Sequence, residues 1–193
     1  MMSTPNHARI IQSAHRLFSE KGYANVSVDD IAVDAKLTKG AVYYGFKDKR
    51  DVFRSACQAV LAKISETATT ETMDHVDHDV MEIVTGGERL FDAYESPAAR
   101  RMLLVDGPAV LGIADWTALQ EPLRVELGEH ALEHLADAGL LDSALVPMMA
   151  HLLFGAFTQG VLQIAASADP VRASREARAA YARLALGLLG EDR

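Results

Sequence analysis

One stretch of the chain carries side chains whose types and order suit contact with a polyanion. In LTKGAVYYGF, residues 37–46, Thr38, Lys39, Tyr43 and Tyr44 can each donate a hydrogen bond to a phosphate oxygen. Gly40 and Ala41 lie among them and have no bulk to hold a surface away. Donors fix a protein on a nucleic-acid backbone, while small positions let a helix approach base edges. Two histidine pairs suggest a second chemistry. His75 and His78 sit in DHVDHD with Asp74, Asp77 and Asp79; His130 and His134 are four residues apart, a helical spacing that lets both rings reach one metal ion. The plainer reading of these pairs is a solvated acidic linker and an exposed helix face, so neither a metal nor a cofactor is expected.

Catalytic signatures do not follow. The chain has no GxSxG elbow, phosphate loop, HExxH or GxGxxG. Asp106 and the histidines could be gathered into a catalytic set only by a geometry that their spacing does not impose, so an enzyme is not expected. Cys57 is the single cysteine, which excludes an intrachain disulfide and a cysteine metal cluster and suits a reducing, cytoplasmic setting. Residues 1–16 show no apolar run of signal-peptide type. Val146–Ala168 is apolar but interrupted by His151, Thr158, Gln159 and Gln163, and reads as a buried helix rather than a membrane span.

A net charge of −8 argues at first against nucleic acid, but the charge is uneven. Residues 1–50 hold eight Lys/Arg against five acids, a balance of +3, so the other 143 of the 193 residues carry −11. A basic head on an acidic body is the asymmetry expected when only the head meets phosphate.

The elements that must position the motif are helices, about nine along an all-α chain. A first runs from about Asn6 to Lys21, with Ile10, Ile11, Ala14, Leu17 and Phe18 on one face, and Gly22 ends it. A second starts at Ser27, whose hydroxyl and Asp30 form a capping box. Lys36-Leu37 breaks it, and Thr38 caps a short third helix. Leu37 and Val42 pack the third helix on the second, leaving its other face outward as a recognition helix for a major groove. A fourth spans about Lys47 to Thr67. The polar stretch Thr69–Asp79 marks the domain change. Later helices fall at about Val76–Tyr94, where Gly86-Gly87 is expected to bend or break the helix, and at Ser96–Asp106. Others fall at Asp115–Ala138, kinked or delayed by Pro122, then at Val146–Ala166 and at Pro170–Leu189.

The segments IIQSAHRLFSEKGY, SVDDIA, LTKGAVYYGF and FKDKRDVF together resemble the tetracycline-repressor (TetR) family of bacterial regulators. The resemblance covers about Asn6 to Thr67. It implies a three-helix DNA-binding head with a helix-turn-helix at 27–46 and domain limits 6–67. A helical body at 68–193 would then bind an effector and dimerise. The implied function is a repressor released from its operator by a small molecule, with an activator or effector-free regulator as the alternative. Its partners would be a palindromic double-stranded operator, a second copy of the chain and an unidentified small-molecule effector. Carried over residue by residue, Ser27 would bind phosphate, Thr38 and Lys39 phosphate or bases, Gly40 and Ala41 would lie over base edges, and Tyr43 and Lys49 would meet phosphate. Tyr44 joins them on the outward face. Two departures stand out. The turn position that is usually Gly is Lys36, which would cost roughly 1 kcal/mol if a positive φ is required. The position before Phe46, usually a larger residue, is Gly45.

In the body, Met149, Leu153, Phe157, Val161 and Ile164 form one stripe, and Ala177, Ala180, Tyr181, Leu184 and Leu188 another. Two such helices from each of two chains would make a four-helix dimer bundle. An effector pocket is expected among Phe91, Tyr94, Met102, Trp116, His151, Phe154, Phe157, Gln159 and Gln163, an apolar wall with a few polar groups. The absence of a basic cluster favours a neutral or cationic apolar effector.

Overall fold

The computed structural model describes residues 5–70 and 80–187, all of whose regular structure is helical. His75, His78 and Leu188 lie outside the described residues. Contacts divide the chain into two units. One joins the residues up to Ala62 with Ser96–Leu119; the other joins Lys63–Glu95 with the residues from Gln120 on.

The first unit begins with α1 (Pro5–Lys21), α2 (Val28–Asp34), α3 (Lys39–Gly45) and the opening turns of α4 (Lys49–Thr70). Their apolar faces meet around Phe18 and Phe53, both fully buried, with the rings edge to face at 5.1 Å. Each such burial is worth roughly 1.5–3 kcal/mol. Gly22 closes α1 at φ +80°. Cys57 is sealed in this core, where burial, and then the Asp106 carboxylate, push its thiol up to about 12. It is therefore inert near neutral pH.

The same unit contains a segment that the sequence reading assigned to the body. α6 (Pro97–Ala99), a π-helical stretch (Arg100–Asp106) and α7 (Gly107–Leu111) follow one another, and α8 (Ile113–Arg124) then begins. Three polar anchors tie this segment to the helices of the head. Asp106 accepts the Tyr23 N–H at 2.9 Å. Arg101 donates to the Glu20 carbonyl at the end of α1, at 2.9 Å. Arg50 donates to the Val110 and Leu111 carbonyls at the end of α7 (3.1 and 2.7 Å) and pairs with Asp115 at 2.8 Å. Each anchor satisfies a backbone group that a helix or turn end would otherwise leave open. Asp115, in the first turn of α8, therefore serves Arg50. α7 begins at Gly107, where a Cβ would stand 2.8 Å from the Trp116 ring, so the close approach of that ring requires glycine.

The second unit holds α5 (Val80–Tyr94), α9 (His130–Asp137), α10 (Val146–Ala166) and α11 (Pro170–Leu186). Pro122 lies inside α8, and the ladder widens to a π turn at Val125–Glu129 before α9 begins. Gly86-Gly87 does not break α5, which runs through both residues. Gly87 acts sterically: a Cβ there would lie 2.1 Å from Tyr181 Cε1. Phe91 meets Phe157 at 5.1 Å and Tyr181 at 5.8 Å, both edge-on, so α5, α10 and α11 share one aromatic core. Outside that core, Arg178 of α11 donates to Glu88 and Asp92 on α5 and to Glu95 just after it, at 2.5–2.7 Å.

α10 with its leading turn, Ser143–Ala166, is long and apolar enough to cross a membrane by length and composition, and 28% of its most apolar window is buried. Its inner stripe is Val146, Ala150, Leu153, Phe157, Val161 and Ile164. Leu153, Phe157, Val161 and Ile164, expected at a dimer interface, thus belong to the protomer's own core, as does Tyr181. Met149 is half-buried. Both faces of α10 are apolar, so periodicity alone could not say which one turned inward.

Candidate nucleic-acid interface

The helix-turn-helix is built by local hydrogen bonds that the sequence encodes directly. The Ser27 hydroxyl accepts the Asp30 N–H at 3.1 Å, and the Asp30 carboxylate accepts the Ser27 N–H at 2.8 Å. The Ser27 hydroxyl also donates to Asp30 Oδ2 at 2.6 Å, and this bond, followed by that of the Ser27 N–H, holds the Asp30 carboxyl below the usual carboxylate range. Thr38 caps α3 by accepting the Ala41 N–H at 3.2 Å. Between the caps, Leu37 N–H reaches the Ala32 carbonyl at 2.8 Å, and Lys36 takes φ +54°. Lys36 is the only non-glycine with positive φ among the described residues. Arg9 of α1 donates to the carbonyls of Ala35 and Lys36 and holds the turn from behind. Lys36→Gly should therefore stabilise the protein by about 1 kcal/mol. A denaturant melt checks this; an unchanged midpoint would mean that Lys36 bears no strain.

Val42 is the inward residue of α3, 1% exposed. On the other side, Thr38, Lys39, Gly40, Tyr43 and Tyr44 are exposed and Ala41 is half-buried. Tyr44 is 95% and Tyr43 48% exposed, a large aromatic area left in water by a fold that buries Phe18 and Phe53 completely. Lys39 Nζ lies 2.8 Å from Asp29 Oδ2 on α2, and that carboxylate's hydrogen bond raises the ammonium's pKa. A phosphate at α3 would compete with Asp29 for this ammonium.

Lys49 sits differently from what the resemblance implied. Its ammonium donates to the Tyr23 carbonyl at 3.0 Å and lies 4.1 Å from the centre of the Tyr23 ring. It locks the turn after α1, and a phosphate would have to share it through another of its three N–H groups. Gly45 leaves room: a Cβ there would meet only His7, at 3.8 Å, and His7 stacks on Phe46 at 4.6 Å. Several cations of the basic head are thus turned to internal partners. Arg9 holds the turn, Arg50 caps α7, and Arg16 pairs with Asp34 and Glu20. Apart from Arg16–Glu20, one helical turn apart, no sequence spacing signalled these pairings, which join residues 18 to 65 positions apart.

The expected pocket residues do not line one space. Met102 and Trp116 pack in the first unit; Phe91, Tyr94 and Phe157 fill the core of the second; His151, Gln159 and Gln163 are exposed. Aromatic residues close-pack against one another when no ligand-sized gap separates their helices. The second unit does contain a cavity of about 20 Å³, lined by residues that include Ile83, Gly86, Leu123, Leu153 and Phe154. Only Phe154 of the expected set reaches it.

Two family models match. "Bacterial regulatory proteins, tetR family" covers residues 10–56, and "Tetracyclin repressor-like, C-terminal domain" covers residues 80–188. Over 63 residues the chain is 41% identical to the Transposon Tn10 TetC protein of Escherichia coli, a match that spans 33% of this chain and 32% of that one. It is 26% identical over 164 residues to the HTH-type transcriptional regulator AcrR of Shigella flexneri, covering 80% of this chain and 75% of the relative. The crystal structure of a TetR-family transcriptional regulator from Pectobacterium atrosepticum superposes with a TM-score of 0.81 at 28% identity, covering 96% of this chain and 95% of the other.

Proposed function

The chain belongs to the tetracycline-repressor family of bacterial DNA-binding transcriptional regulators, and from that premise we propose that it is a homodimeric repressor released from a palindromic operator by a small apolar effector. The observation that carries the DNA contact is the outward face of α3, where Tyr43 and Tyr44 stay in water beside Thr38, Lys39 and Gly40. Thr38, Lys39 and Tyr43 would bind phosphate, Gly40 and Ala41 would pass over base edges, and Ser27 would add a phosphate contact at the start of α2. Two heads would meet half-sites about 34–36 Å apart.

The dimer face is reassigned to the outer side of α10. Met148, Leu152, Gly155, Gln159, Leu162 and Ala166 are all exposed and follow one another at steps of four and three, the seam of a helix that packs on a neighbouring helix. On α11, Ala173, Ala177, Ala180 and Leu184 repeat those steps. An open groove of about 450 Å³ between the two helices, bordered by Gln159, Gly160 and Ala177, gives a partner helix room to approach.

The cavity beside Gly86 barely holds one water. Ligand sites usually offer about 300–1,000 Å³. An effector bound at that cavity would force the second unit open, which would give it a different affinity for two states, as release requires. α4 runs as one helix from Lys49 to Thr70 and would carry that motion to the head.

The test begins with a genomic footprint to obtain the operator. Lys39→Ala should then weaken binding to all sequences and lower the salt slope by about one. Tyr43→Phe should weaken binding with the salt slope unchanged. Operator affinity that neither variant alters would reject the face, and affinity unmoved by ligands shown to bind the protein would reject the release mechanism.

A further inference from the structure

Outside the DNA-contacting face, three side chains converge for which the regulator reading has no use. Glu82 of α5 and His130 and His134 of α9 bring one ligand atom each to within 4.8 Å of one another. They meet because the helices that carry them pack by their apolar faces, Ile83 on α5 and Ala131, Leu132 and Leu135 on α9. The two histidines are one helical turn apart, and their ring centres lie 4.5 Å from each other. Glu82 Oε2 stands 2.8 Å from His134 Nδ1. The Glu82 side chain is 11% and that of His134 23% exposed, while His130 is on the surface, so the cluster is held firmly at one end and open to solvent at the other.

We propose that Glu82, His130 and His134 bind a first-row transition-metal ion, with Zn²⁺ as the reference ion. Two imidazoles and a carboxylate form a donor set suited to Zn²⁺ and its neighbours; Mg²⁺ and Ca²⁺ want all-oxygen shells. Bonds of about 2.0–2.1 Å in a tetrahedral shell place neighbouring ligand atoms about 3.3 Å apart. Closing from 4.8 Å or less needs side-chain rotations and no helix movement. The ion takes the place of the hydrogen bond between Glu82 and His134, and each imidazole binds it in its neutral form. Three protein ligands leave a fourth position for water or an added donor. The bound ion would tie α5 to α9 at Glu82, the residue before cavity-lining Ile83.

This assignment is independent of the operator reading, and it is tested on the full chain with any affinity tag removed and after chelator treatment. Zn²⁺ is titrated in competition with a chromophoric chelator, and Co²⁺ is followed by its visible absorption. One ion per chain is expected. His130→Ala, at an exposed position that leaves the fold intact, and Glu82→Gln, nearly the same shape, should each weaken binding by more than about 10-fold. A His75→Ala/His78→Ala pair should leave it in place. No saturable Co²⁺ spectrum, affinity unmoved by His130→Ala, or binding abolished by the His75/His78 pair would overturn the proposal, the last by moving the ion to residues 74–79.

Discussion

Leu152→Glu is expected to convert the protein to a monomer and to lower operator affinity by more than about 100-fold. Leu152 is 65% exposed in the protomer, so a charge there costs the isolated fold little. At a two-chain interface the same charge would be buried twice, opposite or near its own copy, with no cation on the exposed seam from Met148 to Ala166 to pair with it. Losing the dimer turns one bivalent contact with a palindrome into two separate weak ones, which is where the large factor arises. Light scattering after size exclusion reads the mass, and fluorescence anisotropy reads the affinity. Leu153→Glu is the matched control. Leu153 is 8% exposed in the protomer core, so that substitution should unfold the body instead of dividing it. A Leu152→Glu protein that remains a dimer would place the interface elsewhere.

Gly87→Ala should be the most destabilising single-methyl addition in the body. The new Cβ would fall 2.1 Å from Cε1, 2.7 Å from Cδ1 and 2.9 Å from Cζ of Tyr181. Tyr181 is 8% exposed and packed against Phe91, so its ring cannot swing away without disturbing α5, α10 and α11 together. Overpacking of this kind costs about 3 kcal/mol, or a fall in Tm of roughly 6–12 °C for a domain of this size. The adjacent Gly86→Ala should act in the opposite direction. No atom lies within 4 Å of its Cβ, and removing a mid-helix glycine returns about 1 kcal/mol. Two neighbouring glycines, one methyl each and opposite signs of ΔTm make the pair easy to read by calorimetry. Equal shifts for the two would contradict the placement of Tyr181.

What the sequence made legible was local. Ser27 and Asp30, Thr38, Gly22, and Pro170 after Asp169 act within a few residues of themselves, and the structure has each of them doing so. Lys36 belongs here too, since a tight turn between two short helices sets its φ. What stayed hidden depends on chain segments far apart. Nothing near Tyr23 shows that Asp106, 83 residues on, will accept its N–H. The two histidines of α9 were visible as a pair, but the third donor, Glu82, is 52 residues away from His134. The inward face of α10 was undecidable because large apolar side chains occupy both sides, Met148, Leu152 and Leu162 outside and Leu153, Phe157 and Ile164 inside, and only packing against α5 and α11 chooses between them. The expected pocket is closed for a related reason. Large aromatics can serve as walls or as filling, and Phe91, Tyr94 and Phe157 are filling.

The three anchors between the head helices and Ser96–Leu119 change what counts as a transplantable module. Joining a foreign sensor at residue 67 would discard Arg101, Asp106, Asp115 and the carbonyls of Val110 and Leu111. It would leave the Tyr23 N–H, the Glu20 carbonyl and the Arg50 guanidinium to water. A cut that respects this chemistry keeps two stretches of chain, not one. Designers of hybrid switches would graft at Ala62 and again around residues 96 and 119, inheriting the reader and its buttress together.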